Sequence, residues 1–563
     1  MNDTLSTFHF ADIWEAVSDR VAERVALVCD GVELTYAELE ARANRVANVL
    51  WARGVRPGDH VGIHLLNGPE YVESLLGCFK IRAVPINVNY RYVADELGYL
   101  FTDARVRAIV TSAELADRVV DTRRRMRDGG GEGVEVDAGI VTVLVTGDGP
   151  ASGAEGQESY EEVLAVSSPG RDFLADIGER SDRDHYVIYT GGSTGMPKGV
   201  VWLQRDAFFA CIGGGDPMRL SGPVDQPAEL LDRIIEFDFC AFPVAPMMHA
   251  AAQWTSMSWW FCGAKVVLTP KSFDPVAVWR TVADQKVSTL IVVGDAMARP
   301  LLDAWDEAGP FDTSSLFAMA SGGAPLTAAL KDRLHEILPG AMITDGFGSS
   351  ETGAQGAHRM QPGETSGGAT RFMPLDDKTA VLSAEGRRVA PGSGEVGRVS
   401  LSGHVPLEYY RQPAKTAETF VEVDGVRWVM TGDLATVDED GTIRLRGRSS
   451  QVINTGGEKV HPEEVEAALK SHPSVYDAVV VGVPHERFGE QVCAVVAPSK
   501  GTEVTLEELA DHARTAVAGY KVPRALVVVE RVERSPAGKP DYRWARELAT
   551  GRVASGAGDT PTS

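Results

Sequence analysis

A chain of 563 residues is too long for one compact core, so a large composite part and at least one smaller domain are expected. Its 55 Lys and Arg stand against 79 Asp and Glu, a formal net charge of -24, which argues against binding a phosphate backbone and so against a nucleic-acid partner. The six cysteines are scattered, without the spacing of a zinc site or a disulfide framework, and read as buried thiols.

The opening "MNDTLSTFHFADIWEAV" lacks a basic n-region, a continuous apolar run and a small-residue cleavage site. It is not a secretory signal, and a cytoplasmic location is expected. Strand-like runs then alternate with helical patterns: "VALVCDG" before "YAELEARANRVANVLWARG", "VGIHLLN" before "YVESLLGCFKIRA", "AKVVLTP" before "PVAVWRTVADQK", and "VSTLIVVGD" before "AMARPLLDAW". Such alternation predicts an α/β fold of mostly parallel sheets covered by helices. Gly147 to Ser159, rich in Gly, Ser and acidic residues, reads as a surface loop.

Phe239 to Ala264 carries no Asp, Glu, Lys or Arg and is long enough to span a bilayer. Pro243, Pro246, His249 and Gln253 interrupt it, so a strand, a turn and a buried helix are predicted, with no transmembrane segment. From Leu382 the texture changes to short strands between Gly and charged turns, which suggests a small antiparallel or β-barrel-like unit. After Gly447 to Ser450 comes a helix, strand, helix, strand pattern that reads as a separate α+β lid. The tail from about Gly551 is expected to be disordered.

Chemistry concentrates first at "YTGGSTGMPKGV", Tyr189 to Val200, where glycines and hydroxyl residues precede Lys198. Backbone N–H groups and an ammonium in such a loop hold phosphate oxygens. A Walker A reading fails: Pro197 separates the glycines from Lys198, and Gly199 stands where a metal-binding Ser or Thr belongs.

The loop resembles instead the hydroxyl-rich phosphate loop of the adenylate-forming superfamily, and further motifs follow in order. "SGGAPL" (Ser321 to Leu326), "GFGSSETG" (Gly346 to Gly353), "TGD" (Thr431 to Asp433), "GR" (Gly447 and Arg448), "GYKVPR" and "RSPAGKPDYRWA" are similar to that superfamily's AMP-forming acyl-CoA synthetases over roughly Phe8 to Ala549. Parts of the chain look most like actinobacterial fatty acid and sterol side-chain CoA ligases.

The resemblance implies a division of labour. Thr190, Ser193, Thr194, Gly195 and Lys198 would hold phosphates, while Gly322, Gly323, Ala324, Phe347 and Gly348 would surround adenine. Ser350 would meet the α-phosphate, Glu351 would help hold Mg²⁺, and Asp433 and Arg448 would take the ribose. Lys539 would be the adenylation lysine. Residues 1–446 would form the ATP and acyl domain, 447–450 a hinge, 451–549 the mobile lid and 550–563 the tail. Gly456 and Gly457 would let backbone line the pantetheine channel of coenzyme A. At the hinge the chain departs from the usual Asp or Lys and has Ser450.

These residue types suit the reaction. A carboxylate and the α-phosphate of ATP repel each other, so cations and hydrogen-bond donors must gather where they meet. A flexible ammonium can touch both partners. The acyl pocket is expected from His249 with Trp254, Met257 and Trp259 on the following helix, shaped further by Gly213 to Phe237. The implied function is an AMP-forming acid:CoA ligase for a hydrophobic acid. An acyl-AMP ligase loading a carrier protein and a non-catalytic nucleotide-binding protein are the alternatives. A homodimer is compatible with the sequence.

Overall fold

The computed structural model describes residues 5–128, 139–147, 156–192, 195–269, 273–361, 371–448, 451–455, 458–535 and 538–554. One sheet has five parallel strands in the order Val84–Asn87, His60–His64, Val106–Ser112, Thr142–Thr146 and Gln157–Ser159. Every residue of His60–His64 and Thr142–Thr146 is buried, as strands covered on both faces must be. The expected loop over Gly147 to Ser159 is corrected at its end: Gln157–Ser159 pairs with Val143 to Val145 and forms the sheet edge.

The larger sheet has 14 strands. Its parallel part runs Val25–Cys29, Lys265–Leu268, Cys240–Pro243, Thr289–Val292, Ala318–Gly322 and Met342–Ser349. Asp30 and Gly31, both at positive φ, turn the first of these into a hairpin with Val32–Thr35 that the sequence pattern did not separate from the helix behind it. Thr35 and Glu38 then form a capping box that starts helix Tyr36–Ala52.

Past Met342–Ser349 the chain folds back as Gly353–Met360, which pairs with Arg371–Pro374. That short strand also pairs with Ile443–Arg448, so the antiparallel unit of Thr379–Leu382, Gly397–Ser402, Phe420–Val423, Val426–Val437 and Ile443–Arg448 continues the same sheet.

The uncharged stretch from Phe239 becomes strand Cys240–Pro243, a turn and helix Ala250–Trp260. The helix is apolar because it is enclosed: Trp260 Nε1 donates to the Ala26 carbonyl, and the Tyr36 hydroxyl donates to the carbonyls of Trp260 and Ala264. Among the described residues no helix is long and apolar enough to cross a membrane.

The lid sheet combines Glu458–Val460, Ile453–Thr455, Gly489–Pro498, Val475–His485 and Ala525–Val528. Alternate residues of Val475–His485 serve two cores. Ala478 and Val480 pack with Val465, Leu469, Leu509 and Ala513, whereas Val479, Val481 and Val483 pack with Ala545 and Ala549. The tail boundary is corrected accordingly. Helix Tyr542–Ala554 runs through Gly551, and Val553 still packs on the lid core; residues 555–563 lie outside the described residues.

Candidate active site between the large lobe and the lid

The phosphate loop is the tip of a hairpin between His185–Gly192 and Gly195–Leu203, with Thr190 opposite Lys198 and Gly192 opposite Gly195. Ser193 and Thr194 lie outside the described residues. Strand Glu408–Tyr409 adds to the outer edge, with Tyr409 opposite Val200. The Lys198 ammonium stands 4.4 Å from the centre of the Tyr409 ring, and the Tyr409 hydroxyl donates to Glu351 Oε1 at 2.8 Å. Burial lowers the Lys198 pKa and the Glu351 charge opposes it; burial and the same carboxylate hold the Tyr409 phenol well above its ordinary value.

Parallel pairing places Ser321 beside Asp345 and Gly322 beside Gly346, so the two glycine-rich turns leave the sheet side by side. Gly323 needs its glycine, at φ +82°. A Cβ on Gly348 would collide with the Gly353 carbonyl. Ala324, between these turns, is half-buried against the main core. The ring of Phe347 stacks on Phe372 at 4.4 Å and 15°, so one of its faces is already covered. The Ser350 carbonyl accepts from Trp202 Nε1 at 3.1 Å, and the Glu351 N–H donates to Ser349 Oγ at 3.2 Å, which anchors this loop to the phosphate hairpin.

Asp433 and Arg448 face each other on antiparallel strands, with Arg448 Nε 3.1 Å from Asp433 Oδ1. The lid is docked over them. Gly538, at φ +69°, is placed so that a Cβ would lie 3.1 Å from Ala296 and 3.3 Å from Val293 in the large lobe. Lys470 Nζ reaches Asp295 at 3.5 Å, and the Tyr476 hydroxyl donates to Asp303 at 3.1 Å.

Docking brings Lys539 into the field of both halves of the site. Its side chain keeps solvent-exposed surface, yet protein atoms surround it closely. Burial lowers its pKa, Arg448 lowers it further, and Glu351 and Asp433 oppose them.

Lys539 also acts on His249, whose pKa is pushed down to about 4 by burial first, then by Lys539 and Arg91. His249 Nε2 is buried without a hydrogen-bond partner. Trp254, Met257 and Trp259 are all buried on the helix that His249 opens. At 100° per residue Trp254 and Met257 are about 60° apart, whereas Trp259 is about 160° from Met257. Trp259 stacks on Phe239 at 4.2 Å. The expected trio therefore divides between two faces of the helix.

Ser450, Gly456 and Gly457 lie outside the described residues. Among the described residues no group of three or more His, Cys, Asp or Glu is arranged to hold a metal ion by itself.

Residues 14–410 match the family described as AMP-binding enzyme, and residues 464–539 match its C-terminal domain. The chain belongs to the AMP-binding enzymes. It is 46% identical over 547 residues, 96% of this chain and 95% of the relative, to a 3-oxocholest-4-en-26-oate–CoA ligase of Rhodococcus rhodochrous. It is 44% identical over 548 residues, 97% of both chains, to a medium/long-chain-fatty-acid–CoA/3-oxocholest-4-en-26-oate–CoA ligase of Mycobacterium marinum. A solved anthranilate CoA ligase in complex with anthranoyl-AMP shares the fold, at a TM-score of 0.82 and 24% identity over 98% of each chain.

In this AMP-binding enzyme the sequence reading passed over Tyr409, which joins Lys198 to Glu351, and Asn87. Asn87 Nδ2 donates to the carbonyls of Tyr189 and Met248, and its Oδ1 accepts from the Tyr189 N–H. It thereby ties the phosphate hairpin to the turn that ends in His249. An isolated Asn ending an apolar strand, "VPIN", was the only local signal.

Proposed function

We propose that this chain is an AMP-forming acid:CoA ligase that activates a hydrophobic carboxylic acid, a fatty acid or a steroid side-chain carboxylate, as acyl-AMP and passes the acyl group to coenzyme A. The observation that carries the reading is that Lys539 lies within electrostatic reach of His249, Glu351, Asp433 and Arg448 together. An ammonium there would offset the repulsion between the incoming carboxylate and the α-phosphate. His249, neutral at physiological pH, would line the passage to the acid without adding charge.

Asp433 and Arg448 would hold the ribose, and Phe347 would offer adenine its open face. Glu351 suits magnesium that enters with ATP, because Mg²⁺ takes one or two carboxylates and fills its remaining positions with phosphate oxygens and water. That ion would supply charge neutralisation at the phosphates. Gly447 to Ser450 would serve as the hinge, with Gly456 and Gly457 lining the coenzyme A channel once the lid has turned. The acid class is supported by the two named relatives and by the apolar helix behind His249. ATP and coenzyme A as substrates fit a cytoplasmic enzyme.

Incubation with ATP, Mg²⁺ and a panel of fatty and steroid acids, with coenzyme A or an acyl carrier protein, tests the proposal. Acyl-CoA is the expected product. Acylated carrier alone, or no pyrophosphate with any acid, would overturn it.

A further inference from the structure

We propose that Arg534 is a positioning residue for adenylation, fixing the direction in which Lys539 enters the site. The inference rests on the reading of Lys539 given above.

Arg534 Nη1 donates to the Gly538 carbonyl at 2.7 Å, while Nε and Nη2 donate to Asp477 Oδ2 and Oδ1 at 2.8 and 2.7 Å. A planar guanidinium held at two points by a carboxylate cannot rotate, so its third contact also has a fixed direction. That contact is the peptide carbonyl directly before Lys539. Fixing the peptide plane fixes the Lys539 N–H and hence the departure of its side chain. The rest of the turn leans the same way: the Gly538 N–H donates to the Ser535 carbonyl, the Ser535 N–H to the Lys539 carbonyl, and the Lys539 N–H to Ser535 Oγ.

The clamp is coupled to docking. Asp477 Oδ1 also lies 3.5 Å from Lys470 Nζ, which stands at the same distance from Asp295 Oδ2 in the large lobe. Both lysine and aspartate side chains of that cross-lobe pair are only 9% exposed. Asp295 is itself held in place, its Oδ1 accepting from the Thr327 N–H at 2.8 Å. Arg534, Asp477, Lys470 and Asp295 thus form one line of alternating charge from the lysine turn to the large lobe. Turning the lid away breaks the line at Lys470 and Asp295 and leaves Arg534 and Asp477 together. Arg534 therefore matters to the half-reaction that uses Lys539 and not to thioester formation.

The test compares Arg534→Met, Arg534→Lys, Asp477→Asn and Lys539→Ala in two assays on the full-length enzyme: pyrophosphate release with ATP, Mg²⁺ and acid, and thioester formation from supplied acyl-AMP and coenzyme A. Arg534→Met is expected to lower kcat for adenylation by roughly 10-fold to 100-fold, with KM for ATP and acid nearly unchanged and thioester formation intact. Asp477→Asn should give the same split more weakly, and Arg534→Lys, which keeps the positive charge without the planar fork, should recover part of the loss. Equal loss in both assays would make Arg534 a structural residue of the lid and overturn the proposal. So would undiminished adenylation in Arg534→Met beside lost adenylation in Lys539→Ala. Adenylation retained in Lys539→Ala would instead remove the underlying reading.

Discussion

The Tyr409 hydroxyl donates to Glu351 Oε1 at 2.8 Å while the face of its ring carries the Lys198 ammonium at 4.4 Å. One side chain thus sets the spacing of a cation and an anion that arrive from separate parts of the chain, the phosphate hairpin and the loop after Met342–Ser349.

Tyr409→Phe keeps the ring beneath Lys198 and frees Glu351. A hydrogen bond to a charged group contributes about 1.5–3 kcal/mol, so adenylation should fall roughly 10-fold to 100-fold. Because Glu351 is the proposed metal carboxylate, the Mg²⁺ concentration needed for half-maximal pyrophosphate release should rise in the variant. An unchanged Mg²⁺ dependence would separate Glu351 from the metal.

Lys539→Ala removes the ammonium without touching Asp433 or Arg448. Acyl-adenylate formation should drop by about 100-fold or more, the scale of losing one preorganised charge-stabilising group, with thioester formation from supplied acyl-AMP close to wild type. Rapid-quench measurement of each half-reaction decides it. Parallel losses in both would contradict a lid that uses different faces for the two steps.

Glu463 reports on docking through pH. Its carboxyl lies against Gly447, where a Cβ would collide with it, and Oε2 is buried without a hydrogen-bond partner. Burial first, then Glu466, raises its pKa above the ordinary carboxylate value. The docked arrangement therefore binds this proton more tightly than one in which Glu463 meets water, and rising pH, by removing the proton, disfavours docking. Measured from about pH 6.5 to about pH 9, adenylation should decline more steeply in wild type than in Glu463→Gln, which is neutral throughout. Identical profiles would show that Glu463 has no part in docking.

His249 makes the opposite test. Its pKa falls from the ordinary imidazole value of 6.5 to about 4 in the folded protein. As pH drops from 6.5 toward 4 the unfolded chain takes up a proton that the folded chain refuses, so stability is full above this window and declines within it, by less than about 1.4 kcal/mol per pH unit. The melting temperature of His249→Gln should therefore lose less between about pH 7.5 and about pH 5 than that of wild type. An equal loss in the two proteins would place His249 in a more open environment.

The order of residues by itself determined the alternation of strand and helix, the strand, turn and buried helix in the uncharged stretch from Phe239, and the motifs around Lys198, Glu351, Asp433, Arg448 and Lys539. These signals are short-ranged, carried by side-chain periodicity, turn glycines and closely spaced polar residues within single segments. The overextended loop before Ser159 and the tail placed too early, at Gly551, failed for the complementary reason: polar or small residues look unstructured until a neighbouring strand or a lid core gives them something to pack against.

Only the tertiary structure decided that Tyr409 bridges Lys198 and Glu351, that Asn87 ties Tyr189 to Met248, and that Arg534 binds the Gly538 carbonyl beside Lys539. Each is a contact between surfaces whose register depends on how whole sheets and lobes settle. Residues far apart in the chain pay no sequence-local cost that would mark them in advance as partners.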